Sequence, residues 1–260
     1  MLIAQLSDLH VMAPGRLFRG GIDTAGRLKT AIDDLLGQRR QPDAILLTGD
    51  LVDRGAPEEY AALKAMLAPL GPPLLPIPGN HDARDTMRAA FAELDLFHDQ
   101  RFLHFAVDLG PVRVIGLDSL EPGKVEGRLC AERLAWLDAR LAEAPGRPTL
   151  IALHHPPCPT GIPHMDAINL IEPEGFAAVI RRHPQVRRIV AGHVHRPIES
   201  RFAGVPCSVA PATAPQLMLD LRAQSQSNNR AEPPGYGFHL FQDGDFIGHV
   251  VTAGDFGPPV

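Results

Sequence analysis

Five short apolar runs in this 260-residue chain end in side chains able to bind metals or move protons. Leu2 to Leu6 runs into Ser7-Asp8-Leu9-His10, Ala44 to Thr48 into Gly49-Asp50-Leu51-Val52-Asp53, and Leu74 to Ile77 into Pro78-Gly79-Asn80-His81-Asp82. Thr149 to Leu153 runs into His154-His155-Pro156-Pro157, and Arg188 to Ala191 into Gly192-His193-Val194-His195. Asp8, His10, Asp50, Asn80, His154, His193 and His195 make a set of oxygen and nitrogen donors. Three or four such groups suit one borderline divalent ion, and the whole set suits two ions sharing a bridging carboxylate. Asp8 with His10, and His193 with His195, are spaced to face one site from one strand end. Gly49, Gly79 and Gly192 each precede a candidate donor and let the chain turn sharply and come close. Taken singly, each histidine reads as a surface or hydrogen-bonded core residue, and Asp50 as a helix N-cap. Five loaded strand ends together are what that plainer reading leaves unexplained.

Converging these ends requires a sheet whose strands finish on one side, where ligands of α/β sheets collect. The apolar runs, with Val112 to Leu117, read as buried strands alternating with helices, the pattern of an α/β domain. Asp23 to Gln38 places Leu28, Ile32, Leu35 and Leu36 on one helical face, and Glu58 to Leu70 does so with Leu63, Met66, Leu67 and Leu70. Cys130 to Glu143 is a third amphipathic helix, with Leu134, Leu137, Leu141 and Trp136 read as packing. After Ala191, strands are expected without helices between them, at Pro197 to Phe202, Val205 to Ala210, Gln216 to Leu221, Gly237 to Gln242 and Phe246 to Val251. Asp243-Gly244 is a hairpin turn, and Ala223 to Pro234 is loop-like. With no internal repeat or charged linker, residues 1–260 are expected to form a single domain, with 211–235 an oligomerisation or cleft-edge segment.

Composition narrows the function. The formal charge of −5 and pI near 6.2 disfavour polymeric nucleic acid and anionic membranes but not small anions. The 24 glycines and 26 prolines stay below the roughly 25–30% share at which disorder becomes the default. Three cysteines, Cys130, Cys158 and Cys207, with no C-x-x-C spacing, suit a reducing compartment. With no leader-like N-terminus and no apolar stretch approaching a membrane span, the expectation is a cytoplasmic protein. A serine hydrolase is set aside because Gly-x-Ser-x-Gly is absent.

The motifs Asp8-x-His10, Gly49-Asp50, Gly79-Asn80-His81-Asp82, His154-His155-Pro156-Pro157 and Gly192-His193-x-His195 resemble those of the calcineurin-like binuclear metallophosphoesterases. Their order and surroundings resemble the bacterial class III cyclic-nucleotide phosphodiesterase and glycerophosphodiesterase branch over nearly the whole chain. The resemblance implies a four-layer αββα sandwich of two mixed β-sheets flanked by helices. It implies Asp8, His10 and His195 on one metal, Asn80, His154 and His193 on the other, and Asp50 between them. His81 is implied to be a catalytic histidine near the substrate phosphate, while His155 reads as a support or a packing residue, and Asp53 and Asp82 as supports or caps rather than ligands. The cofactors would be two divalent or trivalent ions of iron, manganese, zinc or cobalt.

The reaction implied is hydrolysis of a small phosphodiester, a 3′,5′-cyclic nucleotide or a glycerophosphodiester, by hydroxide held between ions about 3.5–4 Å apart. Alternatives are a phosphomonoesterase or nuclease of the same fold, and a catalytically silent metal-binding regulatory protein, which would show gaps in the donor set. Arg16, Arg19, Lys124, His164 and Asp166 stand near the site in sequence, as cleft groups or as solvated charges and caps. The branch resemblance also implies a homo-oligomer, a dimer or larger.

Overall fold

Leu2, Ala4 and Leu6 leave one face of the first strand and Ile3 the other, and both faces are buried. A strand apolar on both sides belongs inside a sheet covered on both faces. The computed structural model describes residues 1–224 and 226–257. Ser225, within the 211–235 segment, and residues 258–260 of the expected domain lie outside the described residues.

In chain order the strands are β1 (Leu2–Leu6), β2 (Ala44–Thr48), β3 (Leu74–Ile77), β4 (Phe105–Leu109), β5 (Val112–Leu117), β6 (Thr149–Leu153) and β7 (Val186–Ala191). They continue as β8 (Ile198–Phe202), β9 (Val205–Val209), β10 (Gln216–Leu217), β11 (Asn229–Arg230), β12 (Gly235–Gln242) and β13 (Asp245–Thr252). The helices are α1 (Thr24–Gly37), α2 (Pro57–Leu67), α3 (Arg84–Ala90), α4 (Ala131–Ala142), α5 (Pro163–Asp166) and α6 (Glu174–Arg182).

One sheet has the order β13-β12-β1-β2-β3, and the other β4-β5-β6-β7-β9-β8. β1, β2 and β3 run parallel, as do β5, β6, β7 and β9, while β12, β13, β4 and β8 pair antiparallel. The sheets face each other through Ile3, Leu46 and Ile77 against Val114, Leu150 and Val190. α1 and α2 cover the first sheet with Leu28, Leu35, Leu63 and Leu67, and α4 and α6 cover the second with Leu137, Leu141, Val179 and Ile180. Each such side chain contributes about 1.5–3 kcal/mol when fully buried. Helix, sheet, sheet, helix is the layering that the family resemblance implies.

Local chemistry sets the boundaries. Asp23 caps α1 by accepting from Gly26 N at 2.8 Å. α2 stops at Leu67 rather than Leu70, since Pro69 has no N–H to continue the ladder. Asp243 and Gly244, at φ 53° and 86°, turn β12 into β13. The strand expected at Gln216 to Leu221 is only the two residues of β10, paired with β11. Trp136 stacks on His104, centroids 4.7 Å apart, a packing role. Among the described residues no helix is long and apolar enough to cross a membrane.

Candidate metal centre

The carboxyl ends of β1, β2 and β3 meet those of β6 and β7 where the two sheets join. Gly192 N donates to His154 O at 2.9 Å, Gln5 Nε2 to Ala191 O at 2.9 Å, and His193 N to Asp8 Oδ1 at 3.0 Å. Beyond each strand the chain bends abruptly. Asp8, His10, Asp50, His193 and His195 all have left-handed backbones, at φ 51°, 44°, 48°, 72° and 53°. For residues with a Cβ this costs on the order of 1–3 kcal/mol each and persists only where the surroundings impose it, commonly at functional sites.

The glycines serve by two means. Gly49, at φ 85°, supplies a turn. Gly79 supplies room, because a Cβ there would lie 2.2 Å from Asp50 Oδ1. Gly192 does the same beside Ser7 and Asp8.

The donor atoms form two adjoining groups. In the first, His10 Nε2 lies 3.1 Å from His195 Nε2 and 3.6 Å from Asp50 Oδ2, and His195 Nε2 lies 3.5 Å from Asp8 Oδ1. In the second, His154 Nε2 lies 3.4 Å from Asp50 Oδ1, and His193 Nδ1 lies 3.1 Å from Asn80 Oδ1. Asp50 therefore turns one oxygen to each group. All seven sequence-expected donors are brought together.

Backbone carbonyls fix the histidines from behind. His154 Nδ1 donates to Thr48 O at 2.7 Å, His195 Nδ1 to Pro215 O at 2.9 Å, and His193 Nε2 to Ile168 O at 3.0 Å. In each neutral ring the opposite nitrogen is then an acceptor facing the site, the arrangement of metal-binding histidines. His154 Nε2 is buried and has no hydrogen-bond partner. Such an atom, in a set of imidazole, carboxylate and amide donors, fits a borderline transition metal.

Charge is distributed unevenly. Burial opposes the charge on His154, yet Asp50 overcomes it and raises the pKa to about 9. Burial likewise works against ionised Asp50, but His154, His81 and His10 hold its carboxyl well below the usual range. Burial lowers His193 to about 3, helped by His154, and lowers His195 as well, helped by His10. The protein thus presents an ionised central carboxylate facing a charged His154, with neutral imidazoles at His193 and His195.

His155 is placed otherwise. Its Nδ1 accepts from Ser119 Oγ at 2.8 Å and its Nε2 donates to Val125 O at 3.0 Å, so both ring nitrogens are engaged. Asp82 is buried and accepts from Gly79 N, Leu51 N and Tyr60 Oη, tying the turns after β2 and β3 together. Burial, with Asp50 nearby, raises its pKa to about 6. Asp53 Oδ1 lies 3.6 Å from both His10 Nδ1 and His81 Nδ1. Asp166 closes the loop ahead of it by accepting from Thr160 N and Gly161 N.

His81 stands over the donors with its ring edge-on to His10, centroids 4.7 Å apart. Its Nδ1 donates to Asp53 O at 2.8 Å, and its side chain is partly exposed in the cleft. Burial opposes protonation there, but Asp50, Asp53 and Asp82 outweigh it and raise the pKa. The cleft, about 120 Å³, is also walled by Phe18, Arg19, Met165, Ile168, Leu217 and Asn229. Apart from Arg19, sequence reasoning did not find these walls, which come from loops without a motif. A wider hollow beside Asp220 and Arg222 contains none of the donors.

Residues 1–197 match the family model of the calcineurin-like phosphoesterases, a span that takes in all seven donors and His81. The chain belongs to this family. It is 34% identical, over its whole length and 96% of the relative, to a probable glycerophosphodiester phosphodiesterase of Arcobacter nitrofigilis. It is 33% identical, over 84% of the chain and 78% of the relative, to a 3′,5′-cyclic adenosine monophosphate phosphodiesterase of Pseudomonas aeruginosa. A dimetal phosphatase from Danio rerio shares the fold at TM-score 0.71 and 15% identity, covering 98% of this chain and 99% of the other. The calcineurin-like fold implies a binuclear metal centre, and the clustered donors of this phosphoesterase are suited to one.

Proposed function

We propose that this chain is a metal-dependent phosphodiesterase of small diesters, a 3′,5′-cyclic nucleotide or a glycerophosphodiester. Asp8, His10 and His195 would hold one ion, Asn80, His154 and His193 the other, and Asp50 would serve both. The two-sided placement of Asp50, with one oxygen toward His10 and the other toward His154, carries the reading. The similarity to relatives named for these two activities supports the substrate class. Iron, manganese, zinc and cobalt all suit the donors, and availability decides among them.

When bound, two such ions would polarise the phosphoryl oxygens and lower the pKa of a water at the site. The protein does the rest. Asn80 offers a neutral oxygen, so it adds no negative charge facing the phosphate. His81, held at Nδ1 by the Asp53 carbonyl, keeps Nε2 available to carry a proton to the departing alkoxide. Assistance of this kind is worth about 10²–10⁴-fold. Asp53 and Asp82 fix the ring and the turns around it.

The net negative charge supports small diesters over polymeric DNA or RNA. A silent regulatory role would leave gaps in the donor set, which is filled. Self-association belongs to the same reading, supported by Ile247 and Val250 standing exposed on the edge strand β13. The free cysteines support a cytoplasmic setting.

The test is a substrate screen of cyclic AMP, cyclic GMP, glycerophosphodiesters, simple monoesters and single-stranded DNA under matched metals, with a chelated control. Diesters should be the best substrates, and chelation should abolish turnover. Faster hydrolysis of monoesters or DNA, or full activity in demonstrably metal-free protein, would contradict the proposal.

A further inference from the structure

Of the three cations that stand near the site in sequence, Arg16, Arg19 and Lys124, Arg19 alone is found in the wall of the cleft. A tight loop puts it there. Phe18 N donates to Ile22 O at 2.8 Å, and Ile22 N and Gly21 N return to Phe18 O at 3.0 and 3.2 Å, leaving Arg19 at the tip with φ 46°. Phe18 is only 4% exposed, with its ring 4.9 Å from that of His10, and the Arg19 guanidinium lies over its ring at 5.2 Å. The guanidinium is thus one aromatic ring further out than the donors, beside whatever extends from the phosphate.

Its charge is uncompensated. Among the described residues no hydrogen bond or ion pair engages the Arg19 side chain, which is exposed. Among the described residues the outer wall is otherwise neutral, with Val125, Met165, Ile168 and Leu217 apolar and Ser227 and Asn229 uncharged. The carboxylate in the cleft wall is Asp50, whose oxygens face the donor histidines. A free guanidinium pairs best with a carboxylate or phosphate through two parallel N–H···O bonds. A neutral ester group would meet it without using the charge, and a cationic one would be repelled.

We propose that Arg19 is a specificity-determining residue that selects phosphodiesters carrying a second negative charge on the ester group. The inference rests on the phosphodiesterase reading and narrows its substrate class.

Three glycerophosphodiesters ending in a carboxylate, a hydroxyl and a trimethylammonium group test it, with a simple aryl phosphomonoester beside them. Their kinetics are read on the metal-loaded protein and on Arg19→Gln and Arg19→Glu. Calorimetry with non-hydrolysable phosphonate analogues of the three diesters reads binding without turnover. In the wild type KM should be about tenfold lower for the carboxylate than for the hydroxyl ester, the worth of one charge-assisted pair. Arg19→Gln should remove that difference by raising KM for the carboxylate ester, and Arg19→Glu should favour the trimethylammonium ester. The phosphonates should follow the same order.

A carboxylate preference that survives in Arg19→Gln would overturn the assignment. So would an equal loss on the monoester, because the guanidinium would then serve the reacting phosphoryl group. If no diester turns over while the phosphonate order appears and collapses in Arg19→Gln, the role of Arg19 stands and the phosphodiesterase reading fails.

Discussion

Asp50 and His154 reach each other from different sheets: the carboxylate leaves β2, the imidazole leaves β6, and Oδ1 and Nε2 are 3.4 Å apart. The other carboxylate oxygen faces His10, which follows β1. One side chain therefore joins donors from both halves of the sandwich. The contact depends on room left by Gly79 and on the Thr48 carbonyl that orients His154. Each side chain favours the other's charged form, Asp50 raising the pKa of His154 to about 9 and His154 holding the Asp50 carboxyl low.

Asp50→Ala should weaken the hold on both ions rather than one, since each group of donors loses a member and the two ions lose the carboxylate that offsets their mutual repulsion. Metal analysis after gel filtration should find less than one ion per chain, and turnover should fall by about 10³-fold or more. Retention of two ions with ordinary turnover would show that the carboxylate bridges nothing.

Gly79→Ala tests the packing beneath the site. The new Cβ would press on both the side chain and the backbone N of Asp50, at 2.2 and 2.3 Å. Neither is the far end of a flexible chain, so the turn must move. Stability should drop by about 1–3 kcal/mol, and metal affinity with it. An unchanged urea midpoint and metal content would mean that the close approach is not needed.

His81→Ala should separate binding from chemistry. No donor depends on this ring, so both ions should remain, while kcat falls about 10²–10⁴-fold. The loss should be smaller for esters with good leaving groups, which need no proton. An equal loss on p-nitrophenyl and alkyl esters would argue against proton transfer by His81.

Acid should weaken the fold through His104, away from the metal centre. Its ring lies between Phe102 and Trp136, and its Nδ1 accepts from Asp118 N at 3.2 Å. Burial lowers its pKa to about 4, assisted by Arg133 and Arg84. Between that value and the unfolded value of about 6.5, the unfolded chain binds more protons, so stability falls as pH drops through this window. The loss from pH 7 to 4.5 should be about 2–3 kcal/mol. His104→Asn, which keeps an acceptor for Asp118 N, should flatten that part of the pH dependence in urea titrations. An unchanged slope would exclude His104 as a source.

Much of this was legible in the chain, because chemistry and pattern coincide at the strand ends. β1, β2, β3, β5 and β6 follow from apolar runs buried on both faces, and the polar residues after β1, β2, β3 and β6, with those after β7, name the donors. β4 was not expected: it is an edge strand with a mixed, partly exposed sequence, so neither a continuous apolar run nor clean alternation marks it. α6 is short and follows a loop with no strong cap. The carbonyls of Thr48, Ile168 and Pro215 that orient the histidines were also invisible, because a backbone oxygen has no residue signature. The left-handed turns at Asp8, His10 and His195 likewise occur at residues whose types do not announce them. Arg19 was visible as a loop cation, but only the fold puts it in the cleft and leaves it unpaired.

The central claim is that two ions share Asp50, and anomalous diffraction from manganese-loaded crystals of the active protein tests it most directly. The account predicts two peaks, one among Asp8, His10 and His195 and one among Asn80, His154 and His193, with Asp50 between them. A single peak, or two peaks that do not both contact Asp50 in protein hydrolysing diesters at full rate, would contradict it.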